Sequence, residues 1–125
     1  GSTFNDGWVG WEGRDAEFII DLGEVKTIET VETDFLHKLG AWVLLPKHVE
    51  VATSIDNQEY VEMGALDIPE DKSVEVKYVR VPITSSSPIQ ARYVRVKVET
   101  IGLCPPWHYG VGHPAWFFID EVNVY

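Results

Sequence analysis

Hydrophobic and polar residues alternate with a period of two along most of the chain. In KHVEVATSI (47–55), for example, Val49, Val51, Thr53 and Ile55 fall on one face and mostly polar residues fall on the other. This pattern is typical of strands with one buried side, and the many β-branched residues favour strands over helices. The alternation predicts seven strands, at residues 16–23, 26–36, 47–55, 59–65, 73–83, 91–101 and 115–125.

Two of these strands contain a break in the alternation. The inward phase passes from Ile28 to Val31 in the second strand, and from Tyr78 to Val79 in the fifth, where we expect a β-bulge. The polar segment TSSSPIQ (84–90) follows the fifth strand, and we interpret it as a long surface turn.

Seven strands joined by turns predict an all-β fold, specifically an antiparallel β-sandwich. A length of 125 residues suits a single domain over residues 1–125. The residues expected in the core include Val49, Val51, Val94, Val96 and Val98.

The charge of the chain excludes several classes of partner. There are 20 acidic and 10 basic residues, which give a formal net charge of −10. This balance argues against nucleic acid, heparin and anionic lipid as ligands. No apolar run approaches the roughly 20 residues that a membrane helix requires, so we expect no membrane insertion.

The single cysteine, Cys104, rules out an intramolecular disulfide. We interpret its thiol as a small buried group beside two prolines. A nucleophilic cysteine needs a base and an oxyanion site; His108 is close in sequence, but nothing else completes that arrangement.

Several aromatic residues occur in segments whose glycines and prolines predict loops. They are Trp8, Trp11, Trp42, Trp107, His108 and Tyr109, the last three within CPPWHYGVGHPAW (104–116). Loops gather at the two ends of a sandwich, so rings from distant parts of the chain can meet there and form an apolar surface.

An aromatic surface with polar neighbours suits sugars, because a pyranose stacks its C–H face on a ring while its hydroxyls bind polar groups. The predicted carbohydrate-binding residues are His37, Lys38, Trp42, Trp107, His108 and Tyr109, and His113 is a further polar group for the hydroxyls. The alternative is that the tryptophans close the ends of the core. We favour it for Trp11 and Trp116, because each adjoins a strand.

The histidines do not form a transition-metal pattern. His108 and His113 are spaced by five residues, without an acidic or cysteine ligand at metal spacing. Calcium prefers carboxylate and carbonyl oxygens, which the turn at Asp6 and the strand residue Glu121 offer. We therefore predict Asp6 and Glu121 as calcium ligands, the alternative being that Asp6 belongs to an ordinary turn.

Four segments of the chain resemble a known family: WEGRDAEFIIDLGEVKTIETV, LPKHVEVATSIDNQEYVEMG, ARYVRVKVE and AWFFIDEVNVY. They resemble the coagulation factor 5/8 C-terminal, or discoidin-like, domain, and within it the family 32 carbohydrate-binding modules. The loops GAWVLLPK and CPPWHYGVGHPAWFF are similar to a subgroup found at the C-terminus of bacterial β-hexosaminidases and β-galactosidases.

The resemblance implies an eight-stranded jelly-roll sandwich of the galactose-binding-domain type, with sugar-binding loops at one end. By position, residues 37–42 correspond to the main binding loop and residues 107–109 to a second wall. The resemblance also implies a structural calcium ion, held by an Asp-Gly turn such as that of Asp6 and by a glutamate on the last strand such as Glu121.

We expect a non-catalytic module, excised from a larger glycoside hydrolase that is secreted, periplasmic or on the cell surface. It would hold that enzyme near glycans of the galactose or N-acetylhexosamine type. The first alternative is a structural or protein-interaction domain that packs on the catalytic domain of the same chain. A stand-alone glycosidase comes third, since it needs two carboxylates about 5–10 Å apart, and no acidic pair lies among the aromatic loops.

Overall fold

The strands that the alternation predicts form in the structure, and two pairs of them join into single long strands. The computed structural model describes residues 2–4, 9–12, 15–73 and 75–125. The strands are β1 (Ser2–Phe4), β2 (Val9–Glu12), β3 (Ala16–His37), β4 (His48–Ser54), β5 (Val61–Asp67), β6 (Lys77–Glu99) and β7 (Trp116–Val124). A 3-10 helix covers Leu39–Ala41. Within the described residues, no helix has the length and apolar character needed to cross a bilayer.

The long strand β3 contains the first two predicted strands, and β6 contains the fifth and sixth. The turn predicted for residues 84–90 is wrong in extent, because Thr84 pairs with Thr30 and Ile89 with Ile28. Residues 85–88 fall within the register shift between these two pairs. The ladder therefore pairs the two ends of the predicted turn, whereas residues 85–88, which contain its serines and its proline, lie between the paired positions.

The two predicted breaks in alternation have different outcomes. The break after Ile28 is confirmed, since the register of β3 shifts between Ile28 and Thr30. The β-bulge predicted between Tyr78 and Val79 is wrong, because these residues pair in unbroken register with β3. β6 begins at Lys77, so Val76, which shares the phase of Tyr78 in the sequence, lies before the strand.

The strands form one hydrogen-bonded sheet in the order β1-β7-β3-β6-β4-β5, with β2 also paired to β7. The sheet closes into a sandwich because β3 and β6 pair along both layers, from Ala16 opposite Val98 to His37 opposite Lys77. The first part of β3 and the last part of β6 join β4 and β5 in one layer. Their remaining parts join β7, β1 and β2 in the other.

Both layers contribute to one hydrophobic core. The five predicted core valines are each at most 1% exposed, which confirms the assignment of Val49, Val51, Val94, Val96 and Val98. The other layer contributes Phe35 and Phe117, whose rings meet edge to face with centroids 6.5 Å apart.

Within the part of the chain that the structure describes, three connections cross between the layers at the same end of the sandwich, which we call the loop end. They are residues 38–47, 68–76 and 100–115. Hydrogen bonds join them: Ile68 N donates to Lys47 O at 2.9 Å, and the hydroxyl of Tyr109 donates to Gly40 O at 2.8 Å. The predicted sugar-binding residues of two of these loops are therefore brought to one place.

A histidine at the start of β4 predicts a pH dependence of stability. His48 Nδ1 lies 2.7 Å from Asp67 Oδ1, and His48 Nε2 lies 3.2 Å from Glu50 Oε1. The hydrogen bond with Asp67, together with that to Glu50, raises the pKa of His48 in the folded chain. A raised folded-state pKa adds stability that is complete below the unfolded value of about 6.5 and is lost as the pH rises through the folded pKa.

We expect His48→Gln to lower the free energy of unfolding by about 0.5 kcal/mol at low pH and by almost nothing at high pH, because surface ion pairs are weak. Urea unfolding of both proteins from pH 5.5 to pH 9 measures this difference. A difference between the two proteins that stays constant with pH would contradict the expectation.

Candidate functional site

The loop end has a small hydrophobic core of its own, which we call the satellite core. Its buried members are Leu39, Leu44, Cys104 and Ala115, and Trp42, Ile101 and Trp107 pack against them. Cys104 is 3% exposed, which confirms the interpretation of this residue as a buried group, and burial raises the pKa of its thiol. Trp42 and Trp107 are each half-buried, so each side chain both closes the end of the sandwich and reaches solvent.

Trp42 has a backbone conformation that bulky residues seldom adopt. It ends the 3-10 helix with φ 60° and ψ 27°, in the left-handed region. Its N–H donates to Leu39 O at 3.0 Å, and its carbonyl accepts from Trp116 N at 2.9 Å. A side chain in this region costs about 1–2 kcal/mol, so the surrounding structure has to compensate for the strain.

His108 connects the loop of residues 100–115 to the 3-10 helix from the inside. It is 4% exposed, its Nε2 lies 2.9 Å from Leu39 O, and its Nδ1 lies 2.9 Å from Gly110 N. Because the backbone N–H can only donate and the carbonyl can only accept, the ring is the neutral Nε2–H tautomer. Both nitrogens are used within the protein, so the predicted contact between His108 and a sugar hydroxyl does not fit the structure.

His37 also lies inside the protein. It is 1% exposed, with Nε2 2.9 Å from Asp71 O and Nδ1 3.1 Å from Glu75 O. These contacts attach the loop of residues 68–76 to the end of β3 and leave no ring nitrogen for a sugar, so the predicted hydroxyl contact of His37 does not fit either. Lys38 is exposed, at the point where its backbone pairs with Val43.

Tyr109 is the most exposed of the predicted aromatic residues whose side chains the structure describes. Its side chain is 70% exposed, and its hydroxyl donates to Gly40 O at 2.8 Å. Its ring meets Trp42 edge to face with centroids 6.0 Å apart, and the ring of His113 lies 5.3 Å from Trp42 on centroids. We call Trp42, Tyr109 and His113 the aromatic face.

Trp107 lies beside charged groups of the neighbouring loop. Its Nε1–H donates to Glu70 Oε2 at 3.2 Å, and Lys72 Nζ lies 5.7 Å from its ring centroid, within reach of a cation–π interaction. The ring of His108 stands 6.0 Å from Trp107 and stacks on Tyr109 at 4.5 Å. His108 therefore links Trp107 to the aromatic face.

A shallow groove next to the 3-10 helix escaped the sequence analysis. It has a volume of about 320 Å³ and is lined by Leu36, Lys38, Ala41, Val43, Trp116 and Phe118. Trp116 and Phe118 stack with centroids 5.9 Å apart. Trp116, which the sequence favours as a residue that closes the end of the core, is half-buried and lines the groove, because it alternates along the chain with buried Ala115 and Phe117. The alternation of Trp116 with Ala115 and Phe117 is the feature of the sequence that could have indicated the groove.

The sequence matches the family model of the F5/8 type C domain over residues 1–117. The chain belongs to the F5/8 type C domain family. No curated protein shows significant similarity to it.

Solved structures with a similar fold include modules of Clostridium perfringens. The module CpGH89CBM32-6 has 17% identity and a TM-score of 0.56, with 93% of this chain and 75% of that chain covered. CBM32-1 from a family 31 glycoside hydrolase has 24% identity and a TM-score of 0.51, with 90% and 75% covered. CBM32-3 from a family 31 glycoside hydrolase has 12% identity and a TM-score of 0.50, with 95% and 74% covered. The likeness confirms the predicted discoidin-like β-sandwich fold of this F5/8 type C domain.

In this F5/8 type C domain, Glu121, one of the two predicted calcium ligands, lies on β7 opposite Asp34 of β3. Asp34 is bound by Arg80, whose Nε and Nη2 lie 3.1 and 3.4 Å from its carboxylate oxygens. Among the described residues, no group of three or more His, Cys, Asp or Glu side chains is placed to hold a metal ion. The other predicted ligand, Asp6, lies outside the described residues, as do Trp8 and the side chain of Trp11.

The left-handed conformation of Trp42 in the F5/8 type C domain predicts an unusual order of stability. Both Trp42→Gly and Trp42→Ala remove the indole, but alanine keeps a Cβ in the left-handed region whereas glycine is free of that strain. We expect Trp42→Gly to be more stable than Trp42→Ala by about 1 kcal/mol in urea unfolding.

The neighbouring residue provides the control. Ala41 lies in the 3-10 helix outside the left-handed region, so Ala41→Gly is expected to lower stability, the usual effect of glycine. The strain at Trp42 would be disproved if glycine were less stable than alanine at both positions.

Proposed function

We propose that this F5/8 type C domain is a non-catalytic carbohydrate-binding module. The observation that carries the proposal is the aromatic face, in which Trp42 and Tyr109 come together from two loops that are far apart in the chain. Tyr109 is exposed and Trp42 half-exposed, so the C–H face of a pyranose has rings to stack on. The hydrogen bonds of Tyr109 and His108 to the 3-10 helix hold the rings before a ligand arrives.

The polar partners of the sugar in this proposal differ from those first expected. Lys38, which lines the groove, and His113, which belongs to the aromatic face, are both exposed. They can orient hydroxyls, whereas His37 and His108 support the loops from inside. A glycan of the galactose or N-acetylhexosamine type suits the site, because galactose offers an apolar C–H face and the methyl of an N-acetyl group suits the apolar groove at Trp116.

The names of similar proteins support a role next to a catalytic domain. CBM32-1 and CBM32-3 come from a family 31 glycoside hydrolase. By this analogy of fold, the domain belongs to a larger bacterial glycoside hydrolase, such as a β-hexosaminidase or β-galactosidase, that is secreted, periplasmic or on the cell surface. The module then raises the local concentration of substrate for that enzyme.

One observation favours a second function, that of a domain that packs on its catalytic neighbour. Leu103 and Val111, in the same loop as Tyr109, are 56% and 52% exposed. Exposed aliphatic side chains around aromatic ones are typical of protein interfaces. The two functions differ in whether the isolated domain binds sugar.

A binding experiment with two tyrosine variants tests the proposed function. We expect the isolated domain to bind galactose or an N-acetylhexosamine on a glycan array and in NMR titration. Tyr109→Ala is expected to weaken binding about 2- to 12-fold, since the loss of one stacking ring costs about 0.5–1.5 kcal/mol.

Tyr125→Ala is the matched control. Tyr125 is 51% exposed but follows the end of β7, whereas the loop end adjoins the start of that strand. Its variant is expected to bind like the wild type. No glycan binding by the wild-type domain, or equal losses in both variants, would contradict the proposed function and favour the interaction domain.

We also propose that a structural calcium ion binds near Glu121 together with Asp6. A bound ion stabilises the folded state, so a millimolar concentration of calcium after chelation is expected to raise the melting temperature by several degrees. Glu121→Gln is expected to abolish this rise. A melting temperature that is the same in calcium and in chelator would refute the proposal.

A further inference from the structure

A glycine in the neighbouring loop approaches the indole of Trp42 closely. A Cβ on Gly110 would stand 3.0 Å from Cε2 and 3.2 Å from Cδ2 of Trp42, and 3.1 Å from Nδ1 of His108. Real Cβ atoms seldom approach other atoms so closely. The indole atoms belong to the fused bond of a rigid ring system, so they cannot yield as the end of a flexible chain does.

The same glycine begins a chain of hydrogen bonds that returns to Trp42. Gly110 N–H donates to His108 Nδ1, and His108 Nε2–H donates to Leu39 O. That carbonyl also accepts the N–H of Trp42 at 3.0 Å. We call the linked residues Gly110, His108 and Leu39 the bridge.

The bridge determines which way the donors point. The donation from Gly110 occupies Nδ1 and so keeps the proton of the neutral ring on Nε2, the nitrogen that faces Leu39. His108 is 4% exposed, so water does not readily replace either bond. Both the backbone turn at Leu39 and the packing of the indole therefore depend on the loop that holds Gly110.

Trp42 needs such a support, because its left-handed backbone is strained. An ordinary extended backbone at this position would carry the indole away from Tyr109 and His113. We propose that Gly110 and His108 are positioning residues for glycan binding, which hold Trp42 in its strained, sugar-facing conformation. The predicted change in affinity rests on the proposed function, whereas the predicted change in the conformation of Trp42 does not.

Gly110→Ala tests the contact. The added methyl group has to displace the indole or the imidazole, so we expect a changed ¹⁹F shift for Trp42 in protein labelled with 5-fluorotryptophan, with the signal assigned by Trp42→Phe. Affinity for galactose or N-acetylglucosamine, whichever the wild type binds, is expected to fall about tenfold.

Gly112→Ala is the matched control in the same loop. Gly112 has a φ of +82°, and a Cβ there would meet nothing within 4 Å, so the variant strains the backbone without touching Trp42. We expect a lower melting temperature, an unchanged Trp42 signal and unchanged affinity. An unshifted Trp42 signal in Gly110→Ala, or an equal shift in both variants, would overturn the inference.

Two further measurements separate positioning from general stability. His108→Gln can still offer an amide donor and an acceptor, whereas His108→Leu offers neither, so the glutamine variant is expected to retain more of the wild-type Trp42 signal and affinity. In the Trp42→Phe background, Gly110→Ala is expected to lower the melting temperature less than in the wild type, because the smaller ring gives the methyl group room. Equal effects in the two backgrounds would contradict a contact with Trp42.

The test distinguishes failure of the inference from failure of the proposed function. If the wild type binds neither sugar but Gly110→Ala alone moves the Trp42 signal, the positioning role stands and the proposed ligand is wrong. If the wild type binds sugar and Gly110→Ala binds it equally well, the proposed function stands and the inference is wrong.

Discussion

The antiparallel pairing of β3 with β6 is the interaction on which the rest of the structure depends. The ladder runs from Ala16 and Val98 to His37 and Lys77 and takes part in both layers of the sandwich. The relative position of the layers is therefore set by continuous hydrogen-bonded strands as well as by packing of the core. Because β3 ends and β6 begins at the same place, the loops that follow His37 and precede Lys77 leave the sandwich side by side, and β7 brings the third loop to them.

This arrangement explains why the tryptophans of the loop end are half-buried. Three loops that cross between layers would leave the end of the core open, and the satellite core closes it by packing Trp42 and Trp107 on Leu44 and Cys104. The same packing limits the freedom of the exposed parts of the rings. Closing the core and presenting an apolar surface are thus compatible roles of one side chain, and the two alternatives drawn from the sequence describe two sides of the same residues.

The sequence was informative wherever one local rule decided the outcome. Alternation was enough to place Val49, Val51 and Val96 in the core, because the period of two fixes the buried face of a strand. It was not enough for Thr84, Ile89 and Gln90 at the ends of the predicted turn, because their pairing with β3 depends on a distant part of the chain. The burial of His37 escaped it because its partners, the carbonyls of Asp71 and Glu75, belong to a loop that only the tertiary fold brings near.

The turns in the loop of residues 100–115 show how a surface segment can hold large rings in place. Three backbone hydrogen bonds, each with an N···O distance of 3.0 Å, form successive turns in this loop. They run from His108 N to Pro105 O, from Val111 N to His108 O and from His113 N to Gly110 O. The loop thus satisfies many of its own backbone groups, which leaves its side chains to pack or to face solvent.

An exposed stacking site buries little area, so its affinity depends strongly on how little conformational freedom is lost on binding. A loop that is ordered by its own turns and by its hydrogen bonds to Leu39 and Gly40 loses little. The strain at Trp42 is compensated in the same way, because the contacts that order the loop also hold the indole.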